Sequence, residues 1–293
     1  MVKEMVDFFK KREQVDMACD PVGKTLVMLA VPQMISLLFQ NLYAFVDTIF
    51  VSRLGNLPLA AVSLAVPLLY LALALAKGIS MGSVILISHG RGAQDEGKVK
   101  AVSAAILPLM TVTMCLFLPL MIPALSEVFF TALGAQPAVL PHLYGFTFWL
   151  VAGFPIMGMV MSYEALFIAK GDTVTPMKGM ILGNILNILL DPVLIFTLGL
   201  GAAGAAMATL FGQTAAAAYL YSRLGEERPA WNCNLSMVRE WKWIMGQGGF
   251  IALSYMIIPI GLMLLNQVLS RYGPTAVGAW NIMSRMEMLV MLP

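Results

Sequence analysis

Apolar residues run along this chain in long unbroken blocks. The windows Leu26–Phe50, Leu57–Ala76 (continuing past Lys77 to Ser88), Ala101–Pro123, Leu143–Tyr163, Met180–Leu198, Gly201–Ser222 and Trp243–Ser270 carry almost no charge, and an eighth opens at Tyr272 and runs to Pro293. A helix needs about 20 mainly apolar residues to cross a bilayer core. The strict alternation of a membrane barrel, in segments of about ten residues, is not the pattern here. The blocks therefore predict an all-α polytopic membrane protein with about seven complete transmembrane helices and part of an eighth.

Composition strengthens this reading, since 59% of the 293 residues are hydrophobic and 12% are charged, about half the charged fraction of a soluble domain. Residues 1–21 hold Lys3, Lys10, Lys11 and Arg12 without an apolar core before a cleavage site. They read as an amphipathic segment at the membrane surface and not as a signal peptide. Sorted by loop, Lys and Arg collect on one side: the N-terminus with Lys24, then Arg91, Lys98 and Lys100, then Lys170 and Lys178, then Arg223, Arg228, Arg239 and Lys242. The opposite loops hold Arg53 and Arg271. By the positive-inside rule the N-terminus is expected in the cytoplasm of a cell (inner or plasma) membrane. Cys19, Cys115 and Cys233 show no paired spacing, so no disulfide or metal framework is expected.

The chain also repeats itself. Ser52-Arg53-Leu54-Gly55 closes the first block and Ser270-Arg271-Tyr272-Gly273 closes the seventh, an offset of 218 residues that also pairs Ser36 with Ser254 and Ala61 with Ala279. An even number of spans per offset gives both copies the same orientation, a parallel repeat about an axis along the membrane normal. Two such units need about 440 residues, so a truncated piece of a longer transporter is expected. The organisation predicted is a surface segment 1–21, a six-helix N-lobe 22–223, a linker 224–242 on the N-terminal side of the membrane, and the opening part of a C-lobe, 243–293.

Ionisable residues inside spans are costly and mark functional candidates. Gln40, Tyr43 and Asp47 fall on one helical stripe of the first span, and Asn184, Asn187 and Asp191 on one stripe of the fifth. Each stripe must face a cavity or another helix. Glu164, near the end of the fourth span, reaches either a site or the headgroups. Lys77 either snorkels to an interface or pairs with an acid. A helix–helix polar clamp is the structural alternative for the two amide–carboxylate faces.

Two enzyme-like motifs fail on context. In Gly92–Lys98 the phosphate-loop spacing ends in Val99 where a hydroxyl is required, and two acids stand inside it. Gly78-Ile79-Ser80-Met81-Gly82 has nucleophile-elbow spacing but lies inside a predicted span, where small residues four apart favour close helix packing. His89 and His142 are too far apart to build a metal or nucleophile cluster, so no enzyme, cofactor or nucleic-acid partner is expected. The 23 methionines suit adaptable packing or a permissive cavity.

Three stretches taken together resemble the multidrug and toxic compound extrusion (MATE) family. They are Val46-Asp47-Thr48-Ile49-Phe50-Val51-Ser52-Arg53-Leu54-Gly55, the loop Gly171-Asp172-Thr173-Val174-Thr175-Pro176-Met177, and Asn187–Pro192 with Gly201–Thr209. The resemblance covers essentially the whole chain as the N-terminal two-thirds of such a protein. It implies a twelve-helix, two-lobe fold that works as a monomer. It also implies antiport in which organic cations or other amphipathic drugs leave in exchange for H⁺ or Na⁺. The implied ion site is Asp47, Asp191 and Asn187, with Na⁺ the one metal it would hold and Tyr43, Asn184, Thr209 and Gln40 as its supporting network. Glu164 stands where the family often has Asn, and Ile168 where a basic residue is common. Phe250–Gln267 lacks the acid that some members carry in span seven. The alternative is a lipid-linked oligosaccharide flippase of the same superfamily, which would need cations such as Lys77 or Arg285 in its cavity.

Overall fold

The computed structural model describes residues 21–225, 229 and 237–290. The expected surface segment and most of the linker 224–242 lie outside the described residues. Nine α-helices make up the described chain: α1 (Val22–Ser52), α2 (Asn56–Gly92), α3 (Glu96–Cys115), the short α4 (Pro123–Ala132), α5 (Leu140–Ile168), α6 (Val174–Pro192), α7 (Ala202–Arg223), α8 (Val238–Leu269) and α9 (Pro274–Val290). There is no strand among the described residues.

Among the described residues six helices are long and apolar enough to cross a membrane: α1, α2, α3 with the 3₁₀ turn that follows it, α5, α6 with its C-terminal extension, and α8. The sixth expected span, α7, has the length at 22 residues, but its Ala/Gly-rich sequence places it outside this apolar set. The physical reason is its position. It packs along α5 and α6, where small side chains serve close helix contact better than bulky lipid-facing ones do. α9 is 17 residues long. The helix α4, with Pro123 at its first position, lies between two spans where no helix was predicted.

Burial identifies the centre. In its most apolar window α2 is 67% buried and α1 only 11%. α2 packs against α3, α5, α8 and α9. α1 and α8 present large apolar side chains outward, among them Leu37, Leu38, Phe250, Ile257 and Leu264, as spans facing lipid do.

Sequence features of the loops have local causes. Asp172 caps α6: its Oδ1 accepts from the N–H groups of Val174 (3.1 Å) and Thr175 (2.9 Å), and Oδ2 accepts from the Thr175 hydroxyl (2.6 Å). In the Gly92–Lys98 stretch, Oδ1 of Asp95 accepts from the Lys98 N–H at 3.0 Å, so a carboxylate takes the amide that a phosphate would need. The Gly78–Gly82 stretch is continuous helix within α2.

The two halves of the sequence repeat share geometry. Gly55 and Gly273 both lie in the positive-φ region (+106° and +100°), and each donates its N–H to the serine three residues earlier, Ser52 at 3.3 Å and Ser270 at 3.1 Å. Ser36 and Ser254, one offset apart, each bond back to the carbonyl four residues before, Pro32 and Phe250. α1 and α8 are 31 and 32 residues long.

Candidate functional site

The site begins where α6 and α7 touch. A Cβ added to Gly183 would stand 2.7 Å from the Gly212 carbonyl oxygen, and one added to Gly212 would stand 2.5 Å from that of Gly183. This pair of glycines lets the two backbones approach, and polar side chains one turn away then meet across the seam. Asn187 Nδ2 donates to Thr209 Oγ1 at 3.1 Å, and the Thr209 hydroxyl donates to the Ala205 carbonyl at 3.1 Å. Four residues beyond Asn187, Asp191 is fully buried (0% exposed). Neither of its carboxylate oxygens has a hydrogen-bond partner among the described residues, nor do Asn187 Oδ1 and Asn184 Nδ2.

Pro192 follows directly. It has no N–H for the carbonyl four residues earlier, and the helix continues as a π turn over Val193–Thr197. Such widened turns inside membrane helices recur at functional sites. α1 packs on α6 and brings Asp47, half-buried, close enough to Asp191 for the two carboxyls to interact electrostatically. The two acidic stripes predicted on separate spans thus face one another.

A cavity of about 110 Å³ opens beside this pair, and Gln40, Tyr43, Asn184, Asn187, Thr209 and Glu164 contribute its polar wall. Its apolar wall includes Leu69, Leu73, Met157, Met161 and Met180. Asp47 and Asp191 sit beyond its edge, one helical turn from Tyr43 and Asn187 respectively. Glu164 does not extend to a surface: it is 9% exposed and lines the cavity, within electrostatic reach of Lys77 of α2. Lys77 itself is half-buried. Sequence reasoning passed over Gln213, which also lines the cavity. Its signal was a lone amide in an alanine-rich span, four residues after Thr209 on the same face. Among the described residues no group of three or more His, Cys, Asp or Glu could hold a metal ion.

A family model described as MatE matches residues 32–193, more than half of the chain, from within α1 to just past the acid on α6. The chain belongs to the MatE family. This MatE chain is 27% identical over 287 residues to a Shewanella oneidensis protein named FAD transporter, covering 93% of this chain and 62% of that protein. It is 25% identical over 300 residues to the multidrug export protein MepA of Staphylococcus aureus, covering 99% of this chain and 64% of that protein.

Among solved structures it resembles a MOP superfamily transporter from Pyrococcus furiosus, reported with a binding pocket of reverse polarity. The TM-score is 0.81 at 30% identity, over 96% of this chain and 64% of that one. It also resembles the outward-facing conformation of a multidrug resistance MATE family transporter, with TM-score 0.80 at 28% identity over 96% of this chain and 64% of that one. The chain spans just under two thirds of the length of each of these relatives. It is a multi-pass membrane protein, and the relatives carry the names of transporters and export proteins, not of enzymes.

Proposed function

We propose that this chain forms the coupling lobe of a secondary antiporter that exports organic cations or other amphipathic compounds in exchange for H⁺ or Na⁺. Asp47 and Asp191 bind the coupling ion together, Asn187 orients the site through Thr209, and Tyr43, Gln40 and Asn184 line the way to it. The N-terminus lies in the cytoplasm of the cell membrane, following the distribution of Lys and Arg.

One observation carries the reading. Asp191 is completely buried with both carboxylate oxygens unmatched among the described residues, beside a second carboxyl, Asp47, that interacts with it. A carboxylate withdrawn from water and placed next to another like itself is a poor anion and a good receptor for a cation or a proton. An ion moves a conformational equilibrium only by binding one state better than the other. A site on α1, α6 and α7, next to the π turn of α6, lies where occupancy can change how those helices meet.

The test is ethidium efflux from cells expressing the complete reading frame. Asp47→Asn and Asp191→Asn keep the side-chain shape and remove the titration, so each is expected to abolish ion-coupled efflux with expression near normal. Full pH- or Na⁺-dependent efflux in both variants would leave the polar clamp as the better account of the pair.

A second reading, export of an anionic dinucleotide, has its support in the relative named FAD transporter. A diphosphate would ask for cations in the cavity, as would the lipid-linked oligosaccharide of a flippase. The described residues lining this cavity include Glu164 and neither Lys nor Arg, which favours cationic cargo. Inhibition of ethidium efflux by FAD would favour the anionic reading.

A further inference from the structure

The N-terminal ends of α3 and α8 pack together and meet at a tryptophan. Trp243 of α8 is 40% exposed, and cations from both helices approach its ring. The Arg239 guanidinium carbon lies 4.8 Å from the ring centroid, and Lys98 Nζ of α3 lies 6.0 Å from it. We propose that this cluster binds the phosphate of an anionic phospholipid, drawn from the leaflet on the N-terminal side of the membrane, and that the lipid bridges α3 and α8. The inference does not depend on the export reading.

The cluster lies at headgroup depth. The apolar block of α3 opens at Ala101 and that of α8 at Trp243, so Lys98 and Lys100 on one helix and Arg239 and Lys242 on the other stand about one turn from the bilayer core. Trp is enriched at that level, and basic pockets between spans hold acidic lipid headgroups there.

The nearby acids do not neutralise it. Asp95 and Glu96 precede Lys98 and so stand farther from the apolar block, and Oδ1 of Asp95 accepts the Lys98 N–H at 3.0 Å. Buried Glu240 is taken by Arg239, whose Nε and Nη2 donate to its Oε1 at 3.2 and 3.1 Å. Lys98 has no carboxylate partner for its ammonium among the described residues. Two cations drawn to one ring repel each other, and an anion beside the indole relieves that repulsion.

The donors suit a phosphate diester. The Arg239 side chain is 71% exposed, and the rest of its guanidinium N–H groups bond to no other described residue. A guanidinium fork matches phosphate oxygens, and the Lys98 ammonium adds a point charge. Val238, Trp243 and Met245 expose apolar surface beside these cations. A lipid uses both the charges and that surface, whereas a soluble phosphate uses the charges alone. The next residue after Trp243 is Ile244, whose carbonyl meets Gly82 of α2, so the bound lipid adds a clasp beside the crossing of α2 and α8.

The experiment uses the complete protein, delipidated in detergent, with bound lipid counted by native mass spectrometry. Phosphatidylglycerol is the probe, phosphatidylcholine the zwitterionic control and glycerol 3-phosphate the soluble anion. Lys98→Gln is expected to weaken phosphatidylglycerol binding about fivefold, the worth of one basic residue near an anionic surface, and to leave phosphatidylcholine unchanged. Trp243→Leu should also weaken phosphatidylglycerol. Lys178→Gln removes an exposed charge from α6 and should change nothing. Phosphatidylglycerol should raise the unfolding temperature of the wild type more than that of Lys98→Gln.

Equal losses in Lys98→Gln and Lys178→Gln would mean diffuse surface charge and overturn the proposal. Equal binding of phosphatidylglycerol and phosphatidylcholine to the wild type would overturn it too. Displacement of the lipid by glycerol 3-phosphate at matching concentration would make this a site for soluble anions and remove the lipid assignment. Should Trp243→Leu fail to fold, Arg239→Lys keeps a charge beside Glu240 and loses the fork. Its expected result is weaker phosphatidylglycerol binding, and unchanged affinity there counts against the site.

Discussion

Asn187 is held from one side. Its Nδ2 donates to Thr209 while its Oδ1 has no partner among the described residues, so Thr209 alone among them fixes how the amide presents to Asp191. Thr209→Val keeps the shape and removes the acceptor, leaving a buried donor unmatched at a cost of about 1–3 kcal/mol. The expected result is a lower unfolding temperature and a weakened ion dependence of efflux, both recovered by Thr209→Ser. If Thr209→Val matches wild type in both, Asn187 is positioned by something other than this bond. At this scale the sequence disclosed much. Gln40, Tyr43, Asp47, Asn184, Asn187 and Asp191 were found because residues three or four apart share a helical face. Glu164 could not be placed in the same way: whether it faces lipid, headgroups or a cavity depends on the rotation of α5 against α2 and α6. Its place beside a cavity shared with α1, α6 and α7 joins residues from distant parts of the chain, and no periodicity within one helix carries that.

Between helices the deciding feature is how closely backbones pass. Gly183 and Gly212 face one another across α6 and α7 at distances no Cβ tolerates, whereas nothing lies within 4 Å of a Cβ built on Gly246 in α8. Gly183→Val or Gly212→Val is therefore expected to force the helices apart, costing about 1–3 kcal/mol or more and moving Asn187 away from Thr209. Gly246→Ala is expected to be neutral or to stabilise by about 0.5–1 kcal/mol, because only helix propensity changes. Thermal unfolding of the purified protein separates the two outcomes, and equal effects at both positions would mean that the crossing is looser than its geometry. The spans were legible as elements because lipid demands continuous apolar runs. The blocks underestimated their length at the ends, since helices such as α2 (Asn56–Gly92) continue past the apolar run into polar turns. The short helix α4 and the π turn at Val193–Thr197 were not legible, because neither leaves a long periodic run. Pro192 marked where the regular ladder must break and gave no indication of what replaces it.

For the described chain as a whole, the question is how α8, which opens the second copy of the repeat, is attached to the first six spans. It is held at two levels. Near one end, Gly82 of α2 meets the Ile244 carbonyl, with a built Cβ 2.5 Å from that oxygen, and Gly78 and Gly248 meet one turn further along. Near the other end, Gln136 Nε2 donates to the Ser270 carbonyl at 3.3 Å, and Gly134, in the positive-φ region at +89°, leaves room for the Ser270 side chain. Contacts of the first kind are wide and steric, and cannot loosen without separating α2 from α8. The Gln136–Ser270 bond between a loop and a helix end is exposed and can open at little cost, whereas one turn before it the buried Asn266 Nδ2 donates to the Ser63 carbonyl of α2 at 3.4 Å, a bond that must also part if this end of α8 moves away. If alternating access proceeds by rocking of one repeat against the other, the Gln136–Ser270 end is where α8 parts from the first repeat, while the glycine crossing serves as the pivot. Joining Gln136→Cys to Ser270→Cys with a short, reducible thiol cross-linker is then expected to stop efflux in the complete protein and to leave cation binding intact, with efflux restored on reduction. The uncross-linked double variant should transport normally, since the bond it loses is exposed and its net contribution is small. Efflux that persists while the link is closed would place the moving seam elsewhere, and would leave α8 as a fixed part of the first repeat's packing.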